Sequence, residues 1–152
     1  MNELTFGVIG TSKKVDERRV PIHPDHLSRL PAACRKKLVF EEGYGQPFGI
    51  SDAEIAAQTG GVAPRAALLS ELGNVIVAKP TLSDLQEIKE GGILWGYPHC
   101  AQQRAITQAA IDRKLTLIAF EDMFVWGPSG QVGHSIKTTK WQGTALFCMH
   151  CT

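Results

Sequence analysis

The sequence predicts an α/β domain: a mostly parallel sheet flanked by helices. Two observations carry this. Short runs that are apolar almost throughout recur along the chain, as expected of strands buried on both faces of a parallel sheet. Helix start signals fall between them, giving a βαβ succession. With 152 residues and 43% hydrophobic content, the chain has room for one domain with one respectable core.

The first run is LTFGVIG at residues 4–10, where β-branched and aromatic side chains favour a strand. A polar loop, TSKKVDERRVPIHP, follows, and Pro24-Asp25 opens a helix over HLSRL. KLVFEE at 37–42 is the second strand. Ser51-Asp52 then starts the helix AEIAAQ, and Pro64 starts RAALLSEL. NVIVAKP at 74–80 is the third strand, with Ser83-Asp84 opening LQEI and Gly91-Gly92 closing that segment. ILWGYP at 93–98 is the fourth. Because Pro98 holds Tyr97 extended, this strand should stop there, and a helix should run from about Ala101 through QQRAITQAAI. LTLIAFE at 115–121 is the fifth. The chain shows no internal repeat and no low-complexity tract.

Sixteen basic and fifteen acidic residues leave a formal charge of +1, which points to neither nucleic acid nor an anionic membrane as partner. The opening MNELTFGVIG is too short and too quickly interrupted for a secretory signal, and no apolar run approaches membrane-spanning length. A soluble, cytoplasmic protein is expected. Cys34, Cys100, Cys148 and Cys151 show no disulfide-framework spacing, so reduced thiols are expected. The closing CMHCT offers Cys148, His150 and Cys151, but no second cluster completes a tetrahedral site, and no metal is assigned.

In open parallel sheets, ligands bind beyond the carboxyl ends of the strands. Three polar residues fall there: Arg19 in the loop after the first strand, Lys79 after the third and His99 after the fourth. Each has an ordinary alternative. Arg18 and Arg19 suit a solvated loop, and a lone histidine often packs or caps. Lys79 is harder to dismiss, because a lysine following VIVA gains little from burial. Convergence of all three on one rim favours a site.

ERRVPIHPDHLSRL, VIVAKP and GILWGYPHCAQQRAITQAAIDRKLTLIAFEDM resemble the N-terminal domain shared by alanine dehydrogenase, the proton-translocating transhydrogenase and lysine-forming saccharopine dehydrogenase. Within that group, GYGQPFGISDAEI and WGYPHCAQQRAITQ are most similar to N5-(carboxyethyl)ornithine synthase, an opine-type dehydrogenase. The resemblance runs from Phe6 to about Gly143. It implies a Rossmann-like (flavodoxin-like) fold and homo-oligomeric assembly of the full-length protein. It also implies that Arg19 contacts substrate and that Lys79 and His99 sit in the active site. Two departures bear on substrate: alanine dehydrogenases carry an acidic residue between that lysine and proline, where Lys79 meets Pro80 directly, and Tyr97-Pro98-His99-Cys100 differs from their wording.

The resemblance implies reductive condensation of a 2-oxo acid such as pyruvate with an amino acid such as ornithine or lysine, and these residue types suit it. The planar guanidinium of Arg19 matches a carboxylate. Lys79, desolvated beside other cations, and His99 form an acid/base pair near neutral pH. The amides of the helix after His99 should face the rim, disfavour a protonated imidazole and welcome an anion. Trp95, Tyr97 and Trp126 are candidates for a pocket wall, Trp95 and Tyr97 as substrate contacts. Hydride must come from NAD or NADP. No Gly-x-Gly-x-x-Gly follows a strand, so residues 1–140 read as the substrate domain and 141–152 as the start of a helix connecting to a dinucleotide-binding domain absent from this stretch. Alone, the chain should not turn over. Alternatives are the corresponding domain of alanine or saccharopine dehydrogenase, or a non-catalytic module binding a small carboxylate.

Overall fold

The computed structural model describes residues 4–130, 132–134, 136–141 and 144–149. Six parallel strands form one sheet in the order β3-β2-β1-β4-β5-β6: β1 Phe6–Ile9, β2 Leu38–Glu41, β3 Gly61–Ala63, β4 Asn74–Val77, β5 Ile93–Gly96 and β6 Thr116–Ala119. This is the Rossmann strand order, and among themselves the five expected strands lie 2-1-3-4-5, the flavodoxin order. All five are present. Each is shorter than its apolar run, because the last residues of each run turn away to build the rim. The sixth, β3, was not expected. It holds three residues, opens on Gly61 at φ 130° and adds to the outer edge of β2 through Val39↔Gly61 and Phe40↔Val62.

Alternation along the strands sends side chains to two cores. Val8, Phe40, Ile76 and Phe120 lie on one face, and Ile9, Val75, Val77 and Leu94 on the other, all at most 3% exposed. Both faces are therefore covered, which explains why the runs read as continuously apolar.

The helices are short. α1 is Ala32–Arg35, and α2 is Asp52–Gln58, opened by the Ser51–Glu54 capping box. α3, Arg65–Ala67, runs into a π-helical turn over Leu68–Leu72. α4 is Leu82–Glu87, and α5 is Arg104–Asp112. One expected helix changes type and two starts shift. HLSR follows the expected Pro24-Asp25 start but as a 3-10 helix, Pro24–Arg29, cut short by Pro31, whose ring disfavours a helical residue before it. α4 is capped at Thr81 and starts at Leu82, ahead of Ser83-Asp84, because Asp84 turns back to cap Thr81. α5 starts three residues after Ala101, behind a turn at His99.

Beyond the sheet, β7 Phe124–Trp126 pairs antiparallel with β8 Val132–His134, and β9 Ile136–Trp141 with β10 Thr144–Met149. This corrects the connecting helix expected over 141–152: its described residues are extended. Ile136, Thr138 and Thr139 favour a strand on one side, and pairing of Thr144 with Trp141 fixes the register on the other. Cys148, His150 and Cys151 lie outside the described side chains.

A buried charge network ties the carboxyl edge together. Asp84 is fully buried. It accepts from Thr81 N at 2.7 Å and Thr81 Oγ1 at 2.8 Å, and pairs with Arg65. Arg65 also donates to Thr11 O at 2.9 Å and lies 3.7 Å from Glu41. Asp84→Ala removes the cap of α4 and strands a largely buried guanidinium, so a loss of about 3 kcal/mol is expected in urea unfolding. A loss below about 1 kcal/mol would show that solvent screens the pair.

Candidate functional site

Three strand ends build the site. β4 runs into Ala78 and Lys79, β5 into Tyr97, Pro98 and His99, and β6 into Phe120 and Glu121. The bond from Tyr97 N to Ala78 O at 3.2 Å extends the β4–β5 ladder one step, so Lys79 and His99 emerge side by side. Lys79 Nζ lies 2.9 Å from His99 Nε2. With the lysine as an ammonium donor, Nε2 is the acceptor and Nδ1 carries the ring proton, 3.6 Å from Glu121 Oε1.

His99 is held under strain. Its φ of 50° is left-handed, a conformation that costs a non-glycine residue about 1 kcal/mol or more. Two sets of bonds maintain it: His99 N donates to Glu121 Oε1 at 2.7 Å, and His99 O accepts from Gln102 N and Gln103 N, each at 3.0 Å. The second set bears on the helix start. Gln102 N and Gln103 N, which precede α5, are taken by His99's own carbonyl and are not open to an anion. Glu121 sets the histidine's orientation instead, and its Oε2 is buried with no hydrogen-bond partner among the described residues.

Arg19 enters from the loop after β1. Glu17 binds it three times: from Arg19 N at 2.9 Å, from Nε at 2.7 Å and from an Nη. The pair raises the arginine's affinity for its proton. Although burial works the other way, the bonds from Arg19 hold the Glu17 carboxyl below the usual range. Lys79 is lowered, first by burial and then by the cations Lys14 and Arg19, with Glu17 and Glu121 opposing. Tyr97, whose ring centroid is 5.9 Å from that of His99, is raised by burial while Arg19 opposes. Arg19, Lys79, Tyr97 and His99 thus share one cationic rim. Lys79 and His99 touch, and Arg19 is coupled electrostatically to Lys79 and Tyr97.

Trp95 does not reach this rim. Trp95 projects from within β5 into the core, 6.3 Å from Phe6 and 5.8 Å from Phe120 between ring centroids, so its expected substrate contact is corrected to packing. Trp126 is 73% exposed on β7. Glu17 and Glu121 were missed in the sequence. Applying the strand-end rule to LIAFE would have found Glu121; Glu17 looked like one more charge in a charged loop.

The crevice where a Rossmann sheet binds a dinucleotide, beyond β1, is filled from within. Glu41, 5% exposed at the end of β2, accepts from Gly10 N and Thr11 N at 2.8 Å each and from Thr11 Oγ1 at 2.6 Å. An internal carboxylate therefore takes the amides that would meet a pyrophosphate. The described residues do not fit a dinucleotide, and calorimetric titration of the chain with NAD(H) or NADP(H) is expected to show no tight binding. Low-micromolar affinity would contradict this reading of the crevice.

The sequence matches a family model described as the alanine dehydrogenase/PNT N-terminal domain, over residues 8–126. Alanine dehydrogenase of Methanococcus maripaludis is 32% identical over 118 residues, covering 75% of this chain and 31% of that protein. Alanine dehydrogenase of Lysinibacillus sphaericus is 33% identical over 118 residues, covering 74% and 31%. Among solved structures, an L-alanine dehydrogenase superposes with a TM-score of 0.65 at 25% identity, over 84% of this chain and 34% of that one. A transhydrogenase from Sinorhizobium meliloti superposes with a TM-score of 0.62 at 18% identity, over 78% and 35%, a likeness of fold. The chain spans about a third of the length of the curated relatives it matches.

Proposed function

Because the chain belongs to the alanine dehydrogenase/PNT N-terminal domain family, we propose that it is the substrate-side domain of an amino-acid dehydrogenase, holding a 2-oxo acid while an amine adds to it and the imine is reduced. One observation carries the reading: Lys79 and His99, from two different strand ends, meet at 2.9 Å in a cationic rim that includes Arg19. Arg19 takes the carboxylate. Lys79, lowered by its surroundings, gives a proton to the carbonyl oxygen as it leaves as water, and His99 Nε2 takes a proton from the adding amine and passes it back to Lys79, so that the pair ends as it began. The strained His99 backbone and the Glu121 carboxylate keep the imidazole facing Lys79. Hydride comes from NAD or NADP, held by a part of the protein outside this stretch, since the crevice of this domain is filled by Glu41. No helix among the described residues is long and apolar enough to cross a membrane.

The amine divides two readings. Ammonia would make the whole protein an alanine dehydrogenase, the activity named for the relatives above. Packing of Trp95 into the core rather than along a pocket wall favours this smaller substrate. An amino acid such as ornithine or lysine would make it an opine-type synthase. Lys14, which adds a further positive charge near Lys79, favours that reading, because a second carboxylate needs a second cation. Comparing the two amines on pyruvate, in an enzyme completed by a dinucleotide-binding domain, separates them. Faster turnover with ammonia is expected. Preference for ornithine would assign the opine reaction, and turnover with neither would leave only a carboxylate-binding module.

A further inference from the structure

The contacts of Glu17 extend the reading above, on which this inference rests. Glu17 and Arg19 are two residues apart, and one carboxylate receives three N–H groups of that arginine: the backbone N–H, Nε–H and one Nη–H. Tying the amide and the guanidinium of one residue to a single acceptor closes a ring through every rotatable bond of the side chain, which selects one rotamer for a chain that would otherwise lose its rotamer freedom on binding a ligand. The carboxylate is itself immobile. Its side chain is 5% exposed, and it follows a turn in which Glu17 N donates to Lys14 O at 3.3 Å and Asp16 adopts a left-handed φ of 60°. Local strain is thus accepted in order to place this acid.

We infer that Glu17 is a positioning residue for carboxylate capture: it engages the Nε side of the Arg19 guanidinium and presents the arginine, already ordered, to the substrate carboxylate. A solvated arginine would have to be frozen by the ligand itself, at a cost to affinity. A carboxylate two residues away is also held close to the guanidinium by the chain itself, at high effective concentration.

The test uses the 152-residue chain and oxamate, a stable analogue of pyruvate, titrated by NMR, which reads millimolar affinities. Glu17→Gln is expected to weaken oxamate at least tenfold and to abolish the slowly exchanging Nε–H resonance of Arg19. Glu17→Asp, too short to reach all three donors, should fall between it and the wild type, and it decides the matter should Glu17→Gln fail to fold. Arg19→Lys should lose oxamate binding, and adding Glu17→Gln to it should change nothing further. Unchanged or tighter binding by folded Glu17→Gln or Glu17→Asp, alongside lost binding in Arg19→Lys, overturns the positioning role and leaves the assignment of Arg19 standing. Oxamate binding that survives Arg19→Lys, or no binding by the wild type, overturns both.

Discussion

In an enzyme completed by a dinucleotide-binding domain, His99→Gln is expected to lower kcat/KM by about 10² or more, the scale of a general acid/base, with little change in Tm. Glutamine can accept a hydrogen bond where Nε2 meets Lys79, so the geometry has a substitute. What it cannot do is pick up and return a proton near neutral pH. The expected stability follows from the contacts. The bonds that hold residue 99 in its left-handed turn come from its backbone, to Glu121 and from Gln102 and Gln103, and survive the change of side chain. An unfolded variant, or one with full activity, would make His99 a packing residue.

Lys79→Met is expected to cost more, about 10²- to 10⁴-fold in kcat/KM, because Lys79 is the group placed to donate to the reacting oxygen. Stability should hold or rise, since burial and the neighbouring cations already oppose the charge on Lys79. The same cause fixes a pH effect. Lys14 lowers Lys79, so Lys14→Gln lets Lys79 keep its proton to higher pH, and the limb of the kcat/KM profile that reports Lys79 should move upward. A limb that stays in place, or moves down, would mean that another group is being titrated. A Lys79→Met enzyme with wild-type activity would remove the lysine from the mechanism.

Much of this arrangement was legible in the sequence, for reasons that also explain the gaps. Strands buried on both faces leave an unbroken apolar record, so NVIVAKP and ILWGYP announced both β4 and β5 and the residues that follow them. The rule that ligands meet the carboxyl ends of a parallel sheet then put Lys79 and His99 on one rim. β3 left no such record: it is three residues long, begins with glycine and borrows its stability from the edge of β2. Trp95 was misplaced because an aromatic residue near a strand end reads the same whether it faces the core or the rim. Strand register decides this, and it sends the ring toward Phe6. The start of α5 shifted because the left-handed turn at His99 depends on Glu121, 22 residues later. The role of Glu17 was hidden because an acid in a polar stretch looks solvated until a fold buries it against particular donors; Glu41 and Glu121 close apolar runs, and only the fold shows which amides each of them meets.

The central claim is that Arg19, Lys79 and His99 form one site for a 2-oxo acid. A crystal structure of the chain with oxamate tests it most directly. The account predicts the oxamate carboxylate on the Arg19 guanidinium and its carbonyl oxygen within hydrogen-bonding distance of Lys79 Nζ and His99 Nε2, with the bond from His99 N to Glu121 intact. Oxamate bound away from this rim, or on Arg19 with its carbonyl turned from both Lys79 and His99, would contradict it.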